Sequence, residues 1–423
     1  MRKLNGIKLS HQKNSKGIET VDIPLPKSVA IPMLQHMGKA CRPIVNVGDT
    51  VKVGQLIGDS EEIFSVPVHS SVAGTVTAIE KYITSAGDED SRVVIETSET
   101  QDTVDFTPHP VFDQNSLVQA ARLSGISGLG GAGFPTHIKL NCKNLDEVNT
   151  LVINGAECEP YITSDYREML ESTDDILGGI KEVMRCLNIK KAIIGIEDNK
   201  KEAIKLLKEK KGDDNIEVVT LKSVYPQGAE KVLIYQTTGK IIKEGDIPAN
   251  EGIIVLNITT VAQLYRFIRT GTPLTHKRIT VDGNCVEKPM NLKVPIGTSI
   301  EYILDYANID KELADKILYG GPMMGVAIYD LSTPVIKNTN AITLLKNASI
   351  AGSTACIRCG KCVYACPVDL MPFALEKAYD KNDGKSLKDL KVNLCINCGC
   401  CSYICPAHRN LAQKNQLAKV LIK

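Results

Sequence analysis

The sequence predicts a multidomain α/β protein, and three patterns support that fold class. Short apolar runs broken by Gly, Pro and Asp fill residues 23–105 and are typical of a compact β domain. Strand and helix patterns then alternate over residues 113–271, which is typical of a doubly wound α/β domain. Nine of the 14 cysteines lie between Cys356 and Cys405, where we therefore expect a separate cysteine-rich domain.

Composition and charge exclude several classes of protein. The 423-residue chain is long enough for about two to four domains. Its formal net charge is +1, tryptophan is absent and aromatic residues make up 4%, which argues against a nucleic-acid partner. No apolar run reaches the roughly 20 residues that cross a bilayer, and the N-terminus lacks the apolar core of a secretory signal. The sequence therefore predicts a cytoplasmic chain without a transmembrane segment, which reaches a membrane only through partner subunits.

Residues 23–105 are expected to form a barrel-sandwich β domain, preceded by a leader over residues 1–22. The stretches VGDTVKVGQLIG and PVHSSVAGTVTAIE resemble the two halves of a biotinyl or lipoyl domain. Such carrier domains bear their cofactor on a lysine in the hairpin between the halves, but the hairpin at 66–76 contains no lysine. We therefore expect no covalent lipoyl or biotin group, and a structural or docking role for the domain.

The α/β domain is inferred from four strand patterns and the amphipathic segments between them. The strands are TLVIN, KAIIGIE, IEVVTLK and GIIVLNI, and the segments include SDYREMLESTDDILGGIKEVMRCL and NKKEAIKLLKEKKG. Ligands of open α/β sheets bind at the carboxyl ends of the strands. The polar loop NGAECEPYITSDYREML (154–170) follows one such strand. Asn257, Thr259 and Thr260 follow another and open a helix, which makes them a second candidate anion site.

A glycine loop begins near the start of this domain. GLGGAGFPTHIKL (128–140) satisfies G-x-G-x-x-G. A Rossmann fingerprint follows a strand, whereas the preceding NSLVQAARLSGIS is typical of an amphipathic helix. Gly128, Gly130, Gly131 and Gly133 still allow backbone N–H groups to approach an anion, and Lys139 can supply a positive charge. The alternative is a glycine turn that binds nothing.

Beyond the α/β domain the sequence predicts a small β-rich unit over residues 277–307. VDGN (281–284) is interpreted as a turn between strands, and GTSIEYILDYA as a short helix. Residues 337–349 are interpreted as a linker to the cysteine-rich domain.

The C-terminal cysteines repeat the spacing C-x2-C-x2-C-x3-C-P. This is the bacterial ferredoxin spacing for 4Fe–4S clusters, in which the fourth cysteine of each run ligates the other cluster. We predict one cluster on Cys356, Cys359, Cys362 and Cys405, and a second on Cys395, Cys398, Cys401 and Cys366. The alternative is a pair of structural zinc sites, which usually draw C-x2-C knuckles from separate segments. Cys400 belongs to neither set and is interpreted as a bystander.

Several of these motifs together resemble the RnfC family, the flavin and iron–sulfur subunit of the Rnf ferredoxin:NAD oxidoreductase. They are GLGGAGFPTHIKL, NGAECEPYITSD, YPQGAEKVLI and GGPMMG, followed by the two ferredoxin runs. The α/β domain is also similar to the NADH-binding subunit of respiratory complex I, and residues 273–305 resemble the SLBB β-grasp module. The resemblance covers nearly the whole chain. It implies a flavin domain at 113–271, an SLBB unit at 272–330 and a two-cluster ferredoxin-like domain at 350–412.

For the cofactor, the resemblance implies an FMN held by the loop 128–135, with Lys139 near its phosphate. Asn154 and Glu157 would contact the flavin side. The remaining phosphate and ribityl contacts would come from Asn257, Thr259 and Thr260.

The resemblance also implies NADH as the substrate, with Glu157 and Glu230 as candidates near it. The alternative for each is a solvated or helix-capping carboxylate. NADH gives two electrons as a hydride and each cluster takes one, so the flavin converts between the two. No side chain is assigned as catalytic.

Other partners and roles stay open at this point. The segment NGIKLSHQ (5–12) departs from the Gly-Ile-His-Pro-like start usual in the family. The redox partner is therefore either a set of membrane Rnf subunits or a soluble reductase, as in relatives that feed proline reductase or reduce cobalamin. A different class of function is a flavin-free iron–sulfur scaffold. Five further cysteines are interpreted as packing residues: Cys41, Cys142, Cys158, Cys186 and Cys285.

Overall fold

The computed structural model describes residues 4–84, 87–212, 215–348 and 352–422. The predicted boundaries at residues 1 and 350, and the end of the predicted linker at Ser349, lie outside these ranges. None of the helices in the described part of the chain combines the length and the apolar character that crossing a bilayer requires.

The N-terminal β domain consists of two antiparallel sheets that share one apolar core. One sheet has the strand order β2-β8-β7-β4 and the other the order β3-β5-β6. Apolar residues from both sheets, including Ile31, Ile57, Val68 and Ile95, pack in the same buried cluster. The strands up to this point of the chain are β1 (Thr20–Asp22), β2 (Ser28–Pro32), β3 (Arg42–Pro43), β4 (Thr50–Val51), β5 (Leu56–Asp59), β6 (Val68–His69), β7 (Gly74–Ile83) and β8 (Glu89–Thr97).

The turn between β6 and β7 is buried rather than projecting into solvent. Ser70 and Ser71 are fully buried, and the Ser71 hydroxyl donates to the Ile296 carbonyl oxygen at 2.5 Å. The place where a carrier domain presents its lysine is therefore packed against the β unit that follows the α/β domain.

The α/β domain has the four expected strands in one parallel sheet of order β11-β10-β9-β12. The segment before the glycine loop is a helix, as predicted, and its Asp113 side chain caps the N-terminus. The long segment after the polar loop is two helices, because the chain breaks at Ser172. The elements are α1 (Gln114–Leu123), α2 (Thr136–Leu140), β9 (Thr150–Asn154), α3 (Ser164–Glu171), α4 (Thr173–Cys186), β10 (Lys191–Glu197), α5 (Lys201–Lys210), β11 (Ile216–Leu221), α6 (Glu230–Thr238), β12 (Ile253–Asn257) and α7 (Ile258–Thr270), with single 3-10 turns at Leu145–Glu147 and Pro248–Glu251.

A mixed six-stranded sheet of order β1-β14-β13-β17-β15-β16 follows. It contains the predicted short helix as α8 (Ile300–Tyr306), and its further elements are β13 (His276–Gly283), β14 (Met290–Pro295), β15 (Lys316–Tyr319), β16 (Val326–Ile328), β17 (Ala341–Leu345) and a 3-10 turn at Lys311–Leu313. The interpretation of VDGN as a turn is wrong for its first three residues, because β13 continues through Gly283.

The interpretation of residues 337–349 as a linker is wrong. β17 lies inside the sheet, parallel to β13 and antiparallel to β15, so its AITLL sequence is a buried strand. The predicted leader also contributes to this sheet, since β1 pairs with β14. The unit therefore extends beyond the predicted 272–330 at both ends.

The C-terminal domain consists of short helices between the cysteine runs. Leu375, Leu387, Val392 and Ala418 form its small apolar core. Its elements are α9 (Lys361–Tyr364), α10 (Pro372–Asp380), α11 (Gly384–Asp389), α12 (Cys400–Tyr403) and α13 (Leu411–Ala418), with 3-10 turns at Val392–Leu394 and Lys419–Ile422.

The position of β17 predicts the effect of shortening Ile342. Its side chain is fully buried between two strands, so Ile342→Ala should lower the free energy of unfolding by about 2–5 kcal/mol. Val326→Ala on the exposed edge strand β16 is the control and should change it by less than about 0.5 kcal/mol. Urea unfolding followed by circular dichroism measures both. Equal effects of the two substitutions would contradict the buried position of β17.

Candidate functional site

The candidate site lies where the strand order of the parallel sheet reverses. β9 and β12 are neighbours although β10 and β11 come between them in sequence. They pair in parallel register, so that Asn154 and Asn257, the last residue of each strand, lie side by side. In an open α/β sheet such a switch point forms a crevice at the carboxyl ends of the strands, and ligands bind in it.

The glycine loop reaches this edge of the sheet. The Leu129 N–H donates to the Thr260 hydroxyl at 2.9 Å. A Cβ atom on Gly130 would lie 2.7 Å from Nδ2 of Asn257, so only glycine allows this approach. Gly131 and Gly133 have φ values of 140° and 68°, a region that glycine adopts without strain. The structure thus brings the loop and the Asn257 region together, and leaves Gly130 and Gly131 exposed at the tip.

Two neighbouring units hold the loop from outside. The Met37 N–H of the β domain donates to the Gly133 carbonyl oxygen at 2.8 Å. The Asn338 amide, just before β17, donates to the Gly131 carbonyl oxygen at 2.7 Å. The carbonyl groups of Gly131 and Gly133 therefore bind the neighbouring units, and the N–H groups at the tip of the loop are left for a ligand.

Asn257, Thr259 and Thr260 form a network with Asp165, a residue that the sequence analysis missed. Oδ1 of Asn257 accepts from the N–H groups of Thr259 and Thr260 at 2.9 and 3.2 Å, which caps α7. Its Nδ2 and the Thr259 hydroxyl both donate to the Asp165 carboxylate, at 2.8 and 2.7 Å. These side chains satisfy one another, so a ligand meets a rigid, preorganised wall at this point.

Glu157 occupies the helix-capping position that the sequence analysis kept as its alternative. Its carboxylate accepts from the N–H of Asp165 at 2.6 Å and that of Tyr166 at 3.3 Å, at the start of α3. The side chain is only 4% exposed and faces the Lys13 ammonium at 4.0 Å. Burial raises the pKa of Glu157, and the positive charge of Lys13 opposes that shift. Its carboxylate therefore supports the polar loop from within.

Lys139 and Asn154, the remaining predicted cofactor-binding residues, both contact the segment that leads into α6. Lys139 forms an ion pair with Glu230 at 2.6 Å, and both remain partly exposed, so the pair is open to exchange with a ligand. Asn154 donates from Nδ2 to the Gly228 carbonyl oxygen at 2.8 Å and accepts from the Ala156 N–H at 3.2 Å. Asn154 thereby joins the polar loop to the YPQGAE segment.

Three lysines that the sequence analysis also missed donate to the loops of the site; Lys200 and Lys277 are buried, and the Lys13 side chain is 10% exposed. Lys13 reaches the polar loop from the N-terminal segment and Lys200 from the residues after β10. Lys277, on β13, lies 3.5 Å from the Leu129 carbonyl oxygen and 2.8 Å from Oδ1 of Asn340. Burial lowers the pKa of Lys277 to about 8, against the opposing charges of Asp165 and Glu157. Lysines in polar stretches are usually solvated, so no local signal distinguishes these three.

One predicted cysteine set lines a single pocket. Cys366 lies there with Cys395, Cys398 and Cys401, although it comes from the other cysteine run. Burial raises the pKa of the Cys401 thiol to about 12, and the three neighbouring thiols contribute to that shift. Four thiolates so close together are unfavourable without cations between them, which fits an iron–sulfur cluster.

The other predicted set of cluster ligands, Cys356, Cys359, Cys362 and Cys405, is more exposed to solvent. Cys362 is buried next to Cys405, which contributes to raising its pKa, whereas Cys356 and Cys359 are exposed. In both sets, therefore, the fourth cysteine of one run lies with cysteines of the other run. Across the described ranges no three His, Cys or acidic side chains converge as they would around a single metal ion.

The cysteine-rich domain packs against the polar loop through Cys400. This residue is fully buried in a cluster with Tyr225, Cys398 and the partly buried Cys158 and Met323. Its thiol lies 3.9 Å from the Tyr225 carbonyl oxygen, and the Met323 N–H donates to the Glu159 carboxylate at 3.0 Å. The bystander of the sequence analysis is thus a contact between two domains.

Three parts of the chain match the models of known domain families. Residues 2–100 match the RnfC barrel sandwich hybrid domain, residues 121–266 the Nuo51 FMN-binding domain, and residues 355–408 a 4Fe-4S dicluster domain. The chain therefore carries an FMN-binding domain and a dicluster domain. These matches decide against the zinc-site and flavin-free alternatives.

Among solved structures, the NAD+-reducing NiFe-hydrogenase in the H2-reduced state shares the fold. Its TM-score is 0.51 at 16% identity, over 75% of this chain and 66% of that chain.

Among curated proteins, this chain is similar to the RnfC components of ion-translocating complexes. It is 39% identical to that component of the Na(+)-translocating ferredoxin:NAD(+) oxidoreductase complex of Acetobacterium woodii, over 89% of this chain and 87% of the relative. It is 38% identical to the counterpart in the proton-translocating complex of Clostridium ljungdahlii, over 83% and 78%. This chain belongs to the RnfC family.

Proposed function

We propose that this chain passes electrons between NAD(H) and two 4Fe–4S clusters through a bound FMN, as the RnfC component of an Rnf-type ferredoxin:NAD(+) oxidoreductase. The observation that supports the proposal most strongly is the position of the polar loop 154–162. One side of the loop borders the switch point of the sheet, through Asn154. Its other side contacts the cysteine-rich domain, because Cys158 packs in one apolar cluster with Cys398 and Cys400. A flavin at the switch point therefore lies close to the cluster pocket.

The chain's own residues bind and orient the flavin in this proposal. The exposed N–H groups at the tip of the loop 128–133 receive the phosphate, with Lys139 released from Glu230 to neutralise it. Asn154 and the Glu157 loop bound the flavin side, and Asn257, Thr259 and Thr260 keep the wall beneath it rigid. Bound FMN supplies the chemistry that exchanges a hydride for single electrons.

The cluster ligands are proposed as two crossed sets. Cys395, Cys398, Cys401 and Cys366 hold the cluster nearer the flavin domain, because their pocket includes Cys400 at the domain contact. The exposed set, Cys356, Cys359, Cys362 and Cys405, holds the outer cluster. The order flavin, inner cluster, outer cluster gives each electron a short path to the protein surface.

The finer identity of the other units belongs to the same proposal. The six-stranded sheet with α8 is an SLBB-type β-grasp unit, and it serves here to hold the glycine loop and the leader. The names of the two relatives place them in complexes that translocate Na(+) or protons. We infer that the partners are the membrane subunits of such a complex and that this chain docks on their cytoplasmic side.

The direct test is an anaerobic purification followed by a visible spectrum before and after NADH, with flavin and iron measured on the same sample. We expect one FMN, about eight irons as two 4Fe–4S clusters require, and bleaching on addition of NADH. Iron without flavin, even after FMN is supplied, would disprove the flavin assignment. Flavin that NADH does not reduce would assign NADH binding to another protein of the complex.

The close approach of Gly130 to Asn257 predicts a second result. Gly130→Ala places a methyl group 2.7 Å from Nδ2 of Asn257, so the loop must move away from the α7 N-terminus. We expect the dissociation constant for FMN to rise about tenfold or more, equivalent to about 1.4 kcal/mol. Gly17→Ala, where a methyl group meets no atom, is the control. Flavin fluorescence titration measures both, and unchanged binding in Gly130→Ala would contradict the position of the FMN.

The two adjacent cysteines of the second run provide a matched pair for the cluster assignment. Cys401→Ser removes a proposed ligand, so we expect about four irons to be lost, the content of one cluster. Cys400→Ser changes the neighbouring, non-ligand thiol and should retain about eight. Iron analysis and electron paramagnetic resonance of the reduced proteins distinguish them. Iron loss in the Cys400 variant with full content in the Cys401 variant would reverse the assignment.

A further inference from the structure

The polar loop of the site encloses the ammonium group of Lys13. Nζ donates to the carbonyl oxygens of Glu157, Glu159 and Ile162 at 2.9, 2.8 and 2.5 Å. A lysine ammonium has three donors, and all three are used on one stretch of six residues. The neighbouring His11 adds a fourth contact, because its carbonyl oxygen accepts from the Tyr161 N–H at 3.1 Å.

This loop has a conformation that needs outside support. Glu157 and Tyr161 have φ values of 46° and 68°, in the left-handed region that is costly for residues with a side chain. Pro160, between them, has no N–H to contribute to a hydrogen bond. The carbonyl groups of the loop point inward, and Lys13 is the cation at their centre.

A second lysine, Lys200, supports the same loop. Lys200 donates to the Ala156 carbonyl oxygen at 2.5 Å and pairs with Glu197 at 3.3 Å. Lys13 pairs with Glu157, so two cations and two carboxylates, each with a side chain at most 10% exposed, lie at this loop. Removing one member of such a group leaves a buried charge uncompensated, which is strongly unfavourable.

Building on the proposed function, we propose that Lys13 is a positioning residue of the flavin site. Its ammonium group holds residues 157–162 in the conformation that receives FMN, and the N-terminal segment is thereby a working part of the site. Lys13 acts through the loop and touches neither cofactor nor substrate in this proposal.

The titration of Lys13 should then appear in FMN binding. Burial lowers the pKa of Lys13 below its ordinary value; Glu157, Glu197 and Cys158 oppose that shift and Lys200 adds to it. Glu159 of the loop and Asp282 of β13 also lie close enough for the charge of Lys13 to lower their pKa values. The protonated form makes the three hydrogen bonds, and loss of the proton removes a donor. FMN affinity should therefore fall as the pH rises, beginning well below the ordinary lysine pKa of about 10.4. An arginine at this position does not titrate in that range.

The experiment compares Lys13→Met and Lys13→Arg with the control Lys16→Met in the full-length protein with its clusters. Lys16 lies three residues further along the same segment and its side chain is exposed. After removal of flavin, FMN binding is measured by fluorescence titration at several pH values between about 7 and 9.5. This range lies below the ordinary pKa of a lysine side chain. Hydrogen–deuterium exchange of residues 156–162 is measured on the flavin-free proteins.

We expect Lys13→Met to raise the FMN dissociation constant at least tenfold and to speed amide exchange in the loop. Lys16→Met should stay within about twofold of the unmodified protein, as surface substitutions generally do. The Lys13→Arg protein should bind FMN more weakly than the unmodified protein, because a planar guanidinium does not fit a three-carbonyl cage. Its affinity should fall less steeply with rising pH than that of the unmodified protein, and the fall that is left comes from other groups of the site such as Lys277. Wild-type affinity and wild-type exchange in Lys13→Met would overturn the proposal.

Two measurements distinguish a wrong inference about Lys13 from misfolding of the variant and from failure of the proposed function. Iron content of about eight, together with an unchanged circular dichroism spectrum, shows that the chain of Lys13→Met has folded. If it has not, Lys13→Gln, which keeps N–H donors without the charge, is tested by the same criteria. If the unmodified protein binds no FMN, the proposed function fails, and loop exchange in the flavin-free proteins still decides whether Lys13 orders the loop.

Discussion

The parallel pairing of β9 with β12 is the constraint on which the rest of the site depends. It places two strands that are distant in sequence next to each other, and their final residues, Asn154 and Asn257, at the same edge. The polar loop and α7 begin directly after these residues, so the crevice between them is a consequence of strand order alone. The glycine loop then packs against Asn257 at this edge, and this close approach is possible because Gly130 has no side chain.

Three parts of the chain outside the α/β domain contribute to holding that crevice. Met37 from the β domain and Asn338 from the six-stranded sheet hold the glycine loop. Lys13 from the N-terminal segment and Met323 from the six-stranded unit hold the polar loop. The site is therefore not a property of the α/β domain alone, although that domain supplies all the residues predicted to meet the flavin.

Features that are local in sequence could be predicted, and features that depend on distant partners could not. The four strands of the α/β sheet, the helix before the glycine loop and the cysteine spacing are each readable within about twenty residues. Asp165 and Lys13 gave no such signal, because their partners lie on other elements. β17 was missed because polar residues such as Lys337 and Asn338 precede it. Yet Lys337 is fully buried and donates to the Pro67 carbonyl oxygen, so the polar character that suggests a linker instead joins two domains. The roles of the individual cofactor and cluster ligands remain predictions.

The N-terminal segment is the first part of the chain to be synthesised, but its partners come much later. The Asn291 side chain donates to the Ser15 carbonyl oxygen, 276 residues away in sequence, and β1 pairs with β14 beside it. During translation this strand has no partner edge until the whole α/β domain has emerged, and contacts of such long sequence separation form slowly. Synthesis therefore passes through a stage in which the α/β domain can be folded while its polar loop still lacks Lys13. Closure of the N-terminal segment onto the six-stranded sheet through β1 can therefore occur only after β14 has been made.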